Sequence, residues 1–176
     1  PEKLERSLEF LEGSNYVLVA HNYVRRELDG TEVVVDCAKR FTGGGDAYVS
    51  LYERGYMPTC AVVALRSEVL AAGGFDTTLP AGQDFDLWLT MLKGPEARFL
   101  IFEDALGRYH IGQDGVTSRT GQRLECCLRI AGQYAPGLRS HPGTSLFSLW
   151  FRIAAVHGEA FTAHRSRGHL GKALGV

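Results

Sequence analysis

Residues 62–92 read VVALRSEVLAAGGFDTTLPAGQDFDLWLTML, and they predict a strand, a short helix, a loop and a longer helix. The apolar run at residues 57–67, which overlaps the start of this stretch, is typical of a strand that is buried on both faces. We expect Ser67 to cap the short helix and Gly73 or Gly74 to end it. The second helix begins at Asp84, where the apolar residues take up helical spacing.

The rest of the chain also predicts helices and strands in alternation. Leu4, Leu8 and Leu11 form one apolar stripe on a helix at the start of the chain. Asp29-Gly30 is a turn signal between two β-rich runs. The predicted elements outside residues 62–92 are a helix at 1–13, a hairpin at 15–38, a short helix at 48–55, a strand at 97–111 with a polar interruption at Glu103-Asp104, a helix at 122–134 and an apolar helix at 145–158. Such alternation indicates an α/β fold with a mixed sheet flanked by helices.

The composition excludes several classes of protein. Hydrophobic residues make up 45% of the 176 residues and charged residues 22%, as in ordinary globular domains. The 19 basic and 20 acidic side chains nearly cancel, so we expect no basic field for nucleic acid. The cysteines show no CxxC spacing and are interpreted as reduced thiols that fill the core of a cytoplasmic protein. They are Cys37, Cys60, Cys126 and Cys127.

Charge is distributed unevenly along the chain. Residues 1–138 carry 14 basic and 19 acidic side chains, a net of −5, and residues 139–176 carry five and one, a net of +4. This shift predicts a compact body at 1–135 and a basic, helical C-terminal extension at 136–176. Two interpretations of residues 145–176 stay open. The segment is either an amphipathic helix in peripheral contact with the inner face of an anionic membrane, or a helix packed on the body or on a second copy in a homo-oligomer.

Residues 63–95 resemble the second half of the glycosyltransferase family 2 domain. In that family an apolar strand is followed by an arginine, the sequence G-G-F-D, a loop and a helix that begins E-D-x-D-L-W-L-R. The opening helix resembles the helix after the family's aspartate-rich motif, and residues 108–118 resemble its Y-R-x-H-x-G-x-x-S segment. The resemblance therefore covers roughly residues 1–120. The matching residues of the main motif are Arg66, Gly73, Gly74, Phe75, Asp76, Asp84, Asp86, Leu87, Trp88 and Leu89.

The resemblance implies a partial GT-A fold and the transfer of a sugar, with inversion, from a nucleotide-sugar donor to an acceptor hydroxyl. It implies that Asp84 is the general base that deprotonates a glycan or lipid-linked acceptor. It also implies substrate contacts for Gln83, Asp86 and Trp88, and a metal or pyrophosphate contact for His110. Simpler roles compete: Asp84 as a helix cap, Trp88 as a core aromatic and His110 as a locally bonded loop residue. Since Asp84 and Asp86 diverge on a helix, we expect one to face a cleft and the other to stay in solvent.

The sequence departs from the family pattern at several points. Gln83 replaces the glutamate of the E-D pair, Thr90 replaces the arginine after D-L-W-L, and the spacing around Tyr109 and His110 is disturbed. No D-x-D motif precedes the first helix, although the family's first half uses such a motif to hold Mg²⁺ or Mn²⁺ and the nucleotide. We therefore expect Pro1 to mark the point where a longer glycosyltransferase was cut. The alternative is a truncated or degenerate, non-catalytic module that binds a glycan or a partner chain.

Overall fold

The structure is a computed structural model, and it describes residues 2–42, 46–94, 97–112, 119–139, 141, 146–166 and 168–175. Helices and strands alternate along the described chain, as the sequence predicts. In chain order they are α1 (Glu2–Leu11), β1 (Tyr16–Arg26), β2 (Glu32–Val35), α2 (Cys37–Thr42), α3 (Ala47–Arg54), a 3-10 turn (Thr59–Ala61), β3 (Val62–Ala64), α4 (Arg66–Ala71), α5 (Gln83–Leu92), β4 (Arg98–His110), α6 (Thr120–Arg139), α7 (Leu146–Ser166) and α8 (Leu170–Leu174).

In the described residues, four strands form one mixed sheet with β1 at its centre. β4 runs parallel to β1 along its whole length. β2 and β3 run antiparallel to β1 and share its other edge, β2 beside the C-terminal half and β3 beside the N-terminal half. The predicted α/β class, the mixed sheet flanked by helices and the hairpin across Asp29-Gly30 are therefore confirmed.

The predicted polar interruption of the last strand is a β-bulge. The pairing of β4 with β1 passes from Phe102 to Ala105 and leaves Glu103 and Asp104 out of the ladder. Asn22 of β1 holds the bulge, because its Nδ2 donates to the Glu103 carbonyl at 3.0 Å. The two polar residues thus leave the sheet without dividing β4 into two strands.

The strand that we expected to be buried on both faces is short and lies at a sheet edge. β3 spans Val62–Ala64, its residues are half-buried, and among the described strands it pairs with β1 alone. The prediction is wrong because Pro58, which has no N–H, and the 3-10 turn take the start of the apolar run out of the sheet. α4 also begins earlier than predicted: Leu65 is its N-cap, so Ser67 lies within the helix and does not cap it.

Glycines end two helices where the sequence predicts. Gly55 follows α3 with φ of 55°, and Gly73, just beyond α4, has φ of 89°. Both angles lie in the left-handed region, which side chains with a Cβ avoid. At the other end of α3, the Asp46 carboxylate accepts the N–H groups of Tyr48 and Val49. The sequence did not predict α2, which lies where we expected the hairpin to end.

α1 packs on the sheet through only part of its leucine stripe. Leu11 is buried, but Leu4 and Leu8 are exposed. Instead, Phe10 packs on Phe102 of β4, with ring centroids 4.8 Å apart. The apolar spacing therefore predicted the helix correctly and its buried face only in part.

The C-terminal helices pack on the body of the protein. α6 runs through Pro136 to Arg139, so the predicted helix end at Tyr134 is wrong; the buried side chain of Leu138 holds the last turn against the core. α7 contacts α6 and α3, and α8 contacts α7. The division at 135/136 falls inside α6, and the two-part organisation stays a prediction. No helix in the described part of the chain combines the length and the apolar character needed to span a bilayer.

The main core lies between the sheet and helices α3, α5 and α6. Tyr52 of α3 is fully buried, and its hydroxyl donates to the Ala131 carbonyl of α6 at 2.9 Å. All four cysteines are free thiols. Three of them, Cys37, Cys126 and Cys127, are buried, as the interpretation as core residues predicts.

Candidate functional site

Asp84 lies in the first turn of α5. The helix begins at Gln83 with Gly82 as its N-cap, so the predicted start at Asp84 is one residue late and Asp84 is not the N-cap. Its Oδ1 accepts the N–H of Phe85 at 2.9 Å. The half-buried carboxylate therefore sits at the positive end of the helix dipole and satisfies one free donor of the first turn.

Thr59 gives the same carboxylate two more donors. The Thr59 Oγ1–H and N–H both donate to Asp84 Oδ2, at 3.0 and 3.3 Å. These bonds join the start of α5 to the 3-10 turn that precedes β3. The sequence did not point to Thr59, because it lies 25 residues from Asp84 and only the fold brings the two together.

The turn that carries Thr59 also carries a half-buried thiol, Cys60, whose backbone binds a half-buried ammonium. Lys3 Nζ donates to the Cys60 carbonyl at 2.7 Å. Burial raises the pKa of the Cys60 thiol, the charge of Lys3 opposes the shift, and the nearby Asp84 carboxylate adds to it. Burial likewise lowers the pKa of Lys3. Cys60 therefore stays a thiol at neutral pH and is a poor nucleophile.

His21 is a buried imidazole between β1 and β4 that the sequence did not single out. Its Nδ1 lies 2.6 Å from the Asn22 carbonyl, and its Nε2 has no hydrogen-bond partner. Burial is the main cause that lowers the pKa of His21. Gly107 packs closely against the ring, since a Cβ there would lie 3.2 Å from His21 Cε1. The neutral ring thus belongs to the packed interior behind the Cys60 turn.

Asp86 faces away from Asp84, as helix geometry predicts, but it does not face solvent. Only 8% of Asp86 is exposed. Its Oδ1 accepts from Tyr134 Oη at 3.0 Å and from Gln133 Nε2 at 3.4 Å, both on α6. Burial is the main cause that raises the pKa of Tyr134, to about 12. Asp86 therefore joins α5 to α6; the two aspartates diverge as expected, but Asp86 occupies neither the cleft position nor the solvent position that we expected.

Trp88 and Gln83 are both held by backbone carbonyls. Trp88 is 3% exposed, and its Nε1–H donates to the Met57 carbonyl at 3.0 Å, which fits the competing interpretation as a core aromatic. Gln83 is half-buried, and its Nε2 donates to the Leu79 carbonyl at 2.6 Å. Of the two, Gln83 is the one at the surface beside Asp84.

His110 ends β4, where it is exposed and pairs with Arg26 across the ladder. Nowhere in the described ranges do three or more His, Cys, Asp or Glu side chains form a group that could hold a metal ion. The described residues therefore add no further ligand beside His110, and its metal or pyrophosphate contact stays a prediction. Residues 113–118, which complete the segment that resembles the family, lie outside the described residues.

A cleft of about 310 Å³ opens elsewhere, where β1 and β4 begin. None of the five predicted site residues lines this cleft. Its lining consists of Tyr16, Asp46, Ala47, Tyr48, Gly94, Ala97, Arg98, Phe99 and His141. The cleft and the first turn of α5 are therefore separate parts of the described molecule.

The Asp84 carboxylate can accept more hydrogen bonds than the described residues give it. An ionised carboxylate offers about four lone-pair positions, and three are used by Thr59 and Phe85. No donor from the described part of the chain takes the remaining position, so a hydroxyl group could donate there.

The chain matches no protein-family model, no curated protein and no solved structure.

Proposed function

We propose that this chain supplies the acceptor half of an inverting nucleotide-sugar glycosyltransferase, with Asp84 as the general base. The observation that carries the proposal is the position of the Asp84 carboxylate: half-buried, at the start of α5, and oriented by Thr59 and Phe85. The reaction class comes from the resemblance of residues 63–95 to glycosyltransferase family 2.

The chemistry assigned to this chain is one proton transfer. The acceptor hydroxyl donates to the free position on Asp84 and attacks the anomeric carbon of the donor sugar. The bond from that carbon to the nucleotide breaks as the new glycosidic bond forms, and the hydroxyl proton moves to Asp84. Thr59 keeps the carboxylate directed at the acceptor throughout. Binding of the donor nucleotide and its divalent metal is assigned to the half of the family domain that this chain does not match.

The proposal narrows the predicted set of substrate-binding residues. Gln83 borders the carboxylate at the surface, so it is kept as an acceptor contact. Asp86 and Trp88 are buried and bonded to other parts of the body, so they support the site by holding α5 in place. His110 keeps no role in the proposal.

The test is sugar transfer by the full-length protein, assayed with a panel of UDP-, GDP- and dTDP-sugars. Asp84→Asn removes the base and is expected to lower kcat by about a hundredfold or more, the usual contribution of a general base. Asp76→Asn is the matched control, because Asp76 also accepts from a threonine N–H and hydroxyl but lies in the loop before α5. We expect the control to retain its rate. Equal rates for the two variants would remove Asp84 from the mechanism.

A non-catalytic module is the second candidate function. Gln83 stands where the family has a glutamate, and this neutral side chain favours a module that has lost transfer but still binds a glycan. Such a module would transfer no sugar with any donor of the panel and would bind oligosaccharides with Gln83→Ala weakening the binding. Measurable transfer that depends on Asp84 would exclude it.

A further inference from the structure

α7 exposes a row of large apolar side chains on the side that faces away from the body. We call this row the outer face of α7. Its members are Leu146 (71% exposed), Phe147 (70%), Trp150 (69%), Ile153 (37%) and Phe161 (37%). The spacing from Leu146 to Trp150, Ile153 and Phe161 follows the helical repeat, so the row lies along one side for about 22 Å.

The opposite side of α7 is fixed to the body. Arg152 is buried, with its guanidinium 4.5 Å from the centre of the Phe85 ring. It also lies against the end of α3, since a Cβ at Gly55 would be 3.0 Å from Arg152 Nη1. Val156 and Ala160 are buried along the same side. Because α7 is held in this way, the outer face remains directed away from the core.

Exposed cations on α7 and α8 outnumber the one acid of these helices in the described residues. Residues 139–176 contain one acidic residue, Glu159, which bonds Arg123 of α6 at 2.8 Å and so points towards the body. Arg165 is exposed and follows Phe161 by one helical turn, on the same side of α7. Lys172 on α8 is exposed as well. An apolar face that ends in cations and carries no acid matches an anionic surface.

We infer that the outer face of α7 docks on an anionic lipid surface. Phe and Trp side chains favour the boundary between headgroups and acyl chains, where an aromatic ring is buried and the indole N–H stays hydrated. Lys and Arg at the end of the helix add attraction to anionic lipid headgroups. A symmetric pair of α7 helices would instead bring two regions of net positive charge together, which opposes a second copy as the occupant.

The test is co-sedimentation of the full chain with vesicles. We expect binding to phosphatidylcholine vesicles that contain phosphatidylglycerol and little binding to pure phosphatidylcholine. The double variant Phe147→Ser/Trp150→Ser is expected to bind roughly tenfold more weakly, because two aromatic anchors are lost. Leu4→Ser/Leu8→Ser is the matched control, since it removes two exposed apolar side chains from α1 and should bind like the unmodified chain.

A second pair of variants tests the electrostatic part. Arg165→Glu/Lys172→Glu should abolish the preference for anionic vesicles, and added salt should weaken binding of the unmodified chain. The inference is overturned if the chain binds neither vesicle or if the α1 control loses as much binding as the α7 variant. It is also overturned if sedimentation velocity shows a dimer that depends on Trp150 while vesicles do not bind. Each readout is independent of sugar transfer, so it stands or falls apart from the proposed function.

Discussion

Asp84 and Asp86 are neighbours in α5 that contact two different parts of the molecule. Asp84 is half-buried, faces the turn before β3 and accepts hydrogen bonds from Thr59 and from its own helix. Asp86 is buried, faces α6 and accepts from Tyr134 and Gln133. An aspartate carboxylate therefore accepts hydrogen bonds near the surface at position 84, whereas at position 86 it is buried and stabilises the packing of α5 on α6.

This difference follows from helix geometry. It shows that residues of one sequence motif do not all belong to one site. Residues two apart on a helix point in different directions, so they do not share a ligand on the helix surface. The family pattern joins both aspartates in one E-D-x-D-type motif. In this chain, burial separates them into a candidate base and a residue that stabilises the packing of α5 on α6.

Asp86→Ala should have the largest effect on stability among the changes that test this comparison. The substitution removes a buried acceptor from the Tyr134 hydroxyl and should lower the free energy of unfolding by about 1–2 kcal/mol. Urea denaturation measures the effect, with Asp76→Ala as the control, because Asp76 is a half-buried loop aspartate whose carboxylate accepts, in the described residues, only from nearby Thr78. If both variants unfold at the same urea concentration, the hydrogen bonds of Asp86 to α6 do not stabilise the fold.

Thr59→Val should affect catalysis and leave stability nearly unchanged. The change removes the hydroxyl donor at 3.0 Å from Asp84 Oδ2 and keeps the shape of the exposed side chain. We expect kcat to fall roughly tenfold with little change in KM, because the carboxylate loses one of the bonds that orient it. Thr59→Ser should restore the rate, and Thr77→Val, in the loop before α5, is the control. A Thr59→Val enzyme with normal kcat would show that this contact does not orient the base.

Tyr134→Phe should produce the smallest effect, a change in the pH dependence of stability. The pKa of Tyr134 is raised in the folded protein to about 12 from 10.0, so its contribution is fully present below pH 10 and is lost as the pH rises towards 12. In the variant without the phenol, the free energy of unfolding should fall less steeply with pH over this range. The difference in slope should correspond to the release of up to about one proton on unfolding. Urea denaturation at several pH values measures the slope. An unchanged slope would show that Tyr134 does not titrate abnormally.

Local patterns predicted the α/β class and several turns and helix ends, because local chemistry determines those features. The hairpin turn, the ends of α3 and α4 at Gly55 and Gly73, and the polar bulge in β4 all depend on a few adjacent residues. The burial of β3 was predicted wrongly, because an apolar run does not reveal which strands lie beside it. The end of α6 was missed for a similar reason: Leu138 is buried by distant residues, and that burial outweighs the proline signal.

The candidate site was predictable in its residue types and less so in its contacts. The motif singled out Asp84, which the structure places at the surface in the first turn of α5. It did not reveal Thr59, and it grouped Asp86 and Trp88 with the substrate although both are buried. These contacts join residues that are far apart in sequence, 25 for Thr59 and 48 for Tyr134, so no local pattern encodes them.

The most direct test of the account compares Asp84→Asn and Asp86→Asn in two assays, sugar transfer by the full-length protein and urea unfolding. For Asp84→Asn we predict transfer lowered by about a hundredfold or more and an unfolding free energy within about 1 kcal/mol of the unmodified protein. For Asp86→Asn we predict the reverse: lower stability, with the rate per folded molecule retained. Normal transfer by Asp84→Asn, or an equal loss of transfer in a stably folded Asp86→Asn, would contradict the division of roles between the two aspartates.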